Sequence, residues 1–143
     1  MTPKLKSILL VDDDEATNFI HKMVIKQLNC TENIVVKENG IEAIKYLTSS
    51  IDGEHPQPDL IFLDINMPAM DGWEFLEEYD KLEVIQQAKT VIVMLSTSLN
   101  PADRDTANAI PLISGFISKP LTTEKLAQVH TKYFKTRTEL EDS

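Results

Sequence analysis

The chain has 143 residues, 42% of them hydrophobic and 26% charged, which suits one ordinary core and leaves no room for a second catalytic domain. A formal net charge of −9 argues against tight binding to nucleic acid, which rests on clustered Lys and Arg displacing counterions. The single cysteine, Cys30, excludes an internal disulfide and fits a reducing compartment.

Lys4 and Lys6 precede a short apolar run at residues 8–11, too short for a signal-peptide core and ended by three aspartates. No run is long enough to span a bilayer, so the chain is expected in the cytoplasm, with no membrane partner. The run 8–11 predicts a first strand. Phe19, Met23 and Gln27, with Ile20, Val24 and Leu28, have helical spacing and predict an apolar stripe on a first helix. Residues 34–37 predict a second strand, and Ile41, Ile44 and Leu47 a second helix. Residues 49–58 are polar and carry Gly53, Pro56 and Pro58, which predicts an exposed loop. A third strand follows at 60–63, then a helix through Leu76, Tyr79 and Leu82, then a fourth strand at 91–95. Asn100-Pro101 with Asp103 supplies a capping side chain, a preset φ and an early negative charge for another helix. Pro111 should end that helix early. The fifth strand is 115–118, and Thr122 with Glu124 starts the last helix. The charged residues 136–143 form a tail to a single domain over 1–135.

Strands apolar throughout, alternating with helices, indicate a parallel sheet covered on both faces. Right-handed crossovers then give a doubly wound five-stranded α/β fold, whose ligands gather outside the carboxyl ends of the strands. Asp12, Asp13 and Asp14 follow the first strand and Asp64 follows the third. Carboxylates crowded there repel one another unless a cation compensates, and Mg2+ takes one or two carboxylates together with waters and a phosphate. Asp14, beside the first helix, is expected to be a cap instead. Ser96 ends the fourth strand and Lys119 follows the fifth, bringing a hydroxyl and an ammonium to the same edge. Nucleophilic carboxylate, metal, hydroxyl and cation together make a phosphoryl-transfer site.

Four segments in order, Ile8-Leu9-Leu10-Val11-Asp12-Asp13-Asp14, Glu38-Asn39-Gly40-Ile41-Glu42-Ala43, Leu60-Ile61-Phe62-Leu63-Asp64-Ile65-Asn66-Met67-Pro68-Ala69-Met70-Asp71-Gly72, and Gly115 through Pro120, closely resemble the signature of the response-regulator receiver family of two-component signalling. The resemblance implies a flavodoxin-like receiver fold, with Asp64 as the phospho-acceptor. Asp13 and Asp64 would ligate Mg2+ (or Mn2+), with the Asn66 backbone carbonyl, and Asp12 would help through bound water. Ser96 and Phe116 match the switch positions, Lys119 the family's lysine, and Asn66 and Ser98 the positions that tune hydrolysis. Lys119-Pro120 is then a candidate cis peptide. A histidine kinase or histidine phosphotransfer protein would donate the phosphoryl group, and a separate downstream protein would read the face of the fourth helix, fifth strand and fifth helix. With no output domain expected, the implied role is a single-domain response regulator that catalyses only its own modification. Alternatives are a phosphorelay intermediate, a receiver-like scaffold that is never phosphorylated, or an aspartate-nucleophile phosphatase of the haloacid-dehalogenase type. The last usually has a second aspartate where this chain has Asn66. A flavin or dinucleotide domain lacks support, because no Gly-rich loop follows the first strand. His21, His55 and His130 show no ligand spacing and receive no role.

Overall fold

The structure, a computed structural model, describes residues 4–50, 53–82, 90–97 and 100–134. Strands and helices alternate: β1 (Leu5–Val11), α1 (Glu15–Leu28), β2 (Thr31–Lys37), α2 (Gly40–Thr48), β3 (Leu60–Asp64), α3 (Gly72–Asp80), β4 (Val91–Ser96), α4 (Pro101–Asn108), β5 (Gly115–Ser118) and α5 (Thr123–Phe134). The sheet order is β2-β1-β3-β4-β5, with every neighbouring pair parallel. Strand order reverses between β1 and β3, the position where such sheets open a ligand crevice.

Alternate side chains of the central strands point to opposite faces, and each face has its own core. Ile8, Leu10 and Phe62 pack with Ile25 of α1 and with Leu126 and Val129 of α5. Leu9, Val11, Ile61 and Leu63 pack with Ala43 and Leu47 of α2 and with Phe75, Leu76 and Tyr79 of α3. Each such fully buried aliphatic or aromatic side chain contributes roughly 1.5–3 kcal/mol, so these two layers hold the sheet rigidly between its helices. The edge strands depart from expectation. β2 and β5 are only half-buried, and β2 begins at Thr31 because its polar start, Thr31-Glu32-Asn33, lies along an exposed edge.

Helix starts follow their capping side chains. Asp14, Asn39 and Asn100 accept backbone N–H groups of the first turn, and Asp71 forms a reciprocal capping box with Glu74. Thr122 accepts from the Lys125 N–H at 3.1 Å ahead of α5. α4 stops at Asn108, before Pro111, as the proline requires.

The first helix corrects the sequence reading. Its buried positions are Asn18, His21 and Ile25, while Phe19, Ile20 and Met23 face outward. The buried face is rotated from the apolar stripe because Asn18 and His21 make hydrogen bonds beneath the helix, to the Asp12 carbonyl and from the Leu121 N–H. No helix among the described residues is long and apolar enough to cross a membrane. The expected tail at 136–143 lies outside the described residues.

Candidate functional site

Register brings the acidic groups together. Val11 pairs with Leu63, so the next residues, Asp12 and Asp64, leave adjacent strands side by side. One carboxylate oxygen from each of Asp12, Asp13 and Asp64 lies within 4.8 Å of the others. Asp12 and Asp64 are buried, at 4% and 9% exposure, and Asp13 is exposed. Asp14 does not join them, since it caps α1 through the Thr17 N–H at 3.0 Å.

Lys119 closes the cleft from the far side. Its ammonium lies 2.6 Å from Asp12 Oδ2 and 3.2 Å from Asp64 Oδ1, with its side chain only 11% exposed. The Lys119 N–H donates to the Ser96 carbonyl at 2.8 Å, which ties the end of β4 to the turn after β5. The Lys119-Pro120 peptide is cis. Ser96 is buried one residue beyond the Asp64–Leu95 register pair. Asn66 is exposed two residues after Asp64, whereas Ser98 lies outside the described residues. Phe116 is half-buried against the core that holds Met94 and Phe75, and the Arg104 guanidinium lies 5.1 Å from its ring centre.

Two glycines let the loops close around Asp64. A Cβ on Gly72 would lie 2.4 Å from the Asp64 carbonyl oxygen, and the Gly72 N–H donates to the Ile65 carbonyl at 2.8 Å. The start of α3 therefore rests on the backbone of the candidate nucleophile, which any larger residue would prevent. A Cβ on Gly40 would meet Met70 at 2.7 Å, and the Gly40 N–H donates to the Met70 carbonyl at 3.2 Å. The motif around Asn39-Gly40 thus braces the loop after Asp64.

Burial first, and then the Asp12 carboxylate, push Asp64 above the usual carboxylate range, with Lys119 opposing both. Burial also disfavours the Lys119 ammonium, but its hydrogen bonds and attraction to Asp12 and Asp64 prevail and raise it above an ordinary lysine. The cleft is therefore a place where negative charge is costly and partly compensated.

Sequence reasoning missed the supports beneath this cleft. Asn18 Nδ2 donates to the Asp12 carbonyl at 2.8 Å, and buried His21 accepts from the Leu121 N–H at 3.4 Å, joining α1 to the turn that carries Lys119. Their spacing with Ile25 was a usable signal, hidden because two of the three residues are polar. His55 Nδ1, in the exposed loop, lies 2.7 Å from the Ser49 carbonyl.

A family model described as the response regulator receiver domain matches residues 8–131. The chain belongs to the response regulator receiver family. Response regulator Rcp1 of Synechocystis is 32% identical over 99 residues, which cover 68% of this chain and 66% of that protein. The fold of an Mn2+-bound response regulator Rcp1 matches with a TM-score of 0.68 at 26% identity, covering 89% of this chain and 90% of that one. Two-component response regulator ORR41 of rice, Oryza sativa subsp. japonica, is 32% identical across 93% of this chain and 98% of its own length. A two-component response regulator from Cytophaga hutchinsonii matches with a TM-score of 0.82 at 32% identity, covering 91% of this chain and 97% of that one. This receiver is a signalling module of two-component systems.

Proposed function

We propose that Asp64 of this receiver accepts a phosphoryl group from a phosphohistidine on a histidine kinase or histidine phosphotransfer protein, and that the modification changes a protein-binding face. The observation that carries this reading is the buried convergence of Asp12 and Asp64 on Lys119, with Asp13 alongside. Three carboxylates facing one ammonium leave the cleft short of positive charge. Mg2+ or Mn2+ fits that donor set of hard oxygens. Asp13 and Asp64 would hold it directly, the Asn66 carbonyl would add a further oxygen, and Asp12 would act through bound water. Such an ion, when bound, neutralises charge on the phosphoryl oxygens. The Mn2+-bound Rcp1 structure supports the same choice of metal class.

Asp64 presents a carboxylate oxygen to phosphorus in line with the donor nitrogen. As the O–P bond forms, the N–P bond breaks, and the imidazole leaves with the electron pair and takes up a proton. Lys119 turns from its carboxylate partners to a phosphoryl oxygen, and the Ser96 hydroxyl donates to another. The space Ser96 vacates admits Phe116, which has no hydroxyl and signals by position alone. The face formed by α4, β5 and α5 then differs between the two states. Asn66 and Ser98 match the positions that tune hydrolysis in the family, and they would set how water reaches the acceptor. The receiver catalyses only its own modification.

Incubation with Mg2+ and acetyl phosphate tests this reading by intact mass. One phosphoryl increment is expected on the native chain and none on Asp64→Asn; equal labelling of both would reject Asp64 as acceptor.

A further inference from the structure

One residue at the start of α5 breaks the local rule for its place. Thr122 caps this helix by accepting from the Lys125 N–H at 3.1 Å, and Lys125 is the third residue of the first turn. That position favours Glu or Gln, whose side chain returns a bond to the capping residue, and the partial positive charge of a helix start disfavours a cation there. Asp71 and Glu74 satisfy the rule at α3. At α5 the Lys125 ammonium folds back instead on the turn before the helix. It donates to the Ser118 carbonyl at 2.8 Å, the Pro120 carbonyl at 3.2 Å and the Ser118 hydroxyl at 3.4 Å. Between those two carbonyls sits Lys119, whose own ammonium pairs with Asp12 and Asp64. A local rule broken in favour of one particular turn points to a task for that turn.

We propose that Lys125 is a positioning residue for Lys119, pinning the backbone on both sides of it so that the Lys119 side chain changes partners while its root stays in place. Two further bonds define the frame that Lys125 completes. The Lys119 N–H donates to the Ser96 carbonyl at 2.8 Å, and the Leu121 N–H donates to His21 at 3.4 Å. Those bonds tie N–H groups of the turn to β4 and α1, whereas Lys125 ties its carbonyls to α5. Such a frame matters because a lysine carries its charge on a flexible four-carbon stem, which places the ammonium no better than its own backbone is placed. In the proposed transfer Lys119 leaves two carboxylates for a phosphoryl oxygen, a contact that a shift of the turn by about 1 Å would largely forfeit. The role rests on that reading and extends it to a residue of α5.

Two measurements on the full chain test it, in Lys125→Met, which keeps the stem and removes the donors, and in Lys125→Arg, which keeps charged donors there. Lys125 is half-buried, so neither change opens a cavity in the core. The Lys119 side chain is only 11% exposed, and a trace of an amine-acetylating reagent should leave it nearly untouched in the native chain, as read by peptide mass mapping. Its labelling should rise severalfold in Lys125→Met and stay low in Lys125→Arg and in Lys132→Met, a change farther along α5. Phosphoryl uptake from acetyl phosphate with Mg2+ should slow by about tenfold in Lys125→Met and recover most of the way in Lys125→Arg. Added to Lys119→Met, the same substitution should slow uptake no further, because a residue that acts through Lys119 then has nothing to position. Equal slowing in both backgrounds would mean a general structural effect and overturn the proposal. So would Lys119 labelling indifferent to Lys125→Met, or an arginine variant that behaves like the methionine one. Labelling needs no phosphoryl group. A native chain that stays unphosphorylated refutes the proposed function, whereas unchanged Lys119 labelling in a chain that takes up phosphate refutes the positioning role alone.

Discussion

The cleft at the strand ends hides charge, and the outer face of α1 displays apolar side chains. Asp12 and Asp64 are almost fully buried, while Phe19 is 65% and Met23 47% exposed. Residue type alone predicts the reverse. The difference shows that topology assigned these positions. Two aspartates at the ends of neighbouring central strands have nowhere else to go, and they persist there because Lys119 pairs with both. A charge buried without such a partner would cost several kcal/mol. The α1 side chains incur no comparable penalty, since apolar atoms make up much of any protein surface. Interactions in the cleft should therefore be sensitive to single changes, and the α1 face tolerant of them.

The largest expected effect follows from removing the shared cation. Lys119→Met should slow phosphoryl uptake from acetyl phosphate by about a hundredfold. It should also lower stability in metal-free buffer by about 2 kcal/mol, with part of that deficit recovered on adding Mg2+; urea titrations with and without the ion measure both. A deficit that ignored Mg2+ would break the view that positive charge holds the cleft together. Gly72→Ala comes next. Its methyl group would meet the Asp64 carbonyl oxygen at 2.4 Å, so a loss of about 1–3 kcal/mol is expected, together with slower phosphoryl uptake because the backbone of the proposed acceptor must shift.

His21 sharpens the comparison through pH. Burial, the largest influence, holds it below an ordinary histidine, Lys119 acts in the same direction, and Asp12 opposes. An unfolded chain takes up a proton near about pH 6.5, whereas folded His21 remains neutral to lower pH. The unfolded state thus binds more protons in that window, and stability is lost as pH falls beneath about 6.5. Thermal scans should show His21→Gln flattening this acid-side decline. The smallest effect belongs to the α1 face, where Phe19→Ser and Met23→Gln should each change stability by less than about 0.5 kcal/mol. A large loss from either would mean that the face is structural after all.

The cleft was legible in the sequence because each residue's place followed from a strand end. Asp12 and Asp64 needed only the strand boundaries and a parallel register, and Lys119 and Ser96 needed only the next two strands. Asp14 as a cap was legible for a similar reason, since it directly precedes a helix. The α1 face was misread in part, because apolar residues at 19, 20 and 23 satisfy helical spacing as well as Asn18, His21 and Ile25 do, whereas Val24 and Leu28 of the same stripe do pack on the core. Hydrophobic periodicity cannot choose between them when the buried face is polar and held by hydrogen bonds. The extent of β2 was missed because polar residues on an exposed edge strand carry no burial signal. Arg104 over Phe116 was beyond sequence reasoning, since it depends on how α4 settles beside β5.

The central claim is that the buried acidic cleft exists to take up phosphate on one particular carboxylate. Reducing the acetyl-phosphate-treated chain with borohydride, which converts an acyl phosphate to an alcohol, and then mapping its peptides by mass tests this most directly. The reduced side chain should appear at Asp64 and nowhere else. Reduction at Asp12 or Asp13, or a phosphoryl group carried by Ser96 or a histidine, would contradict it.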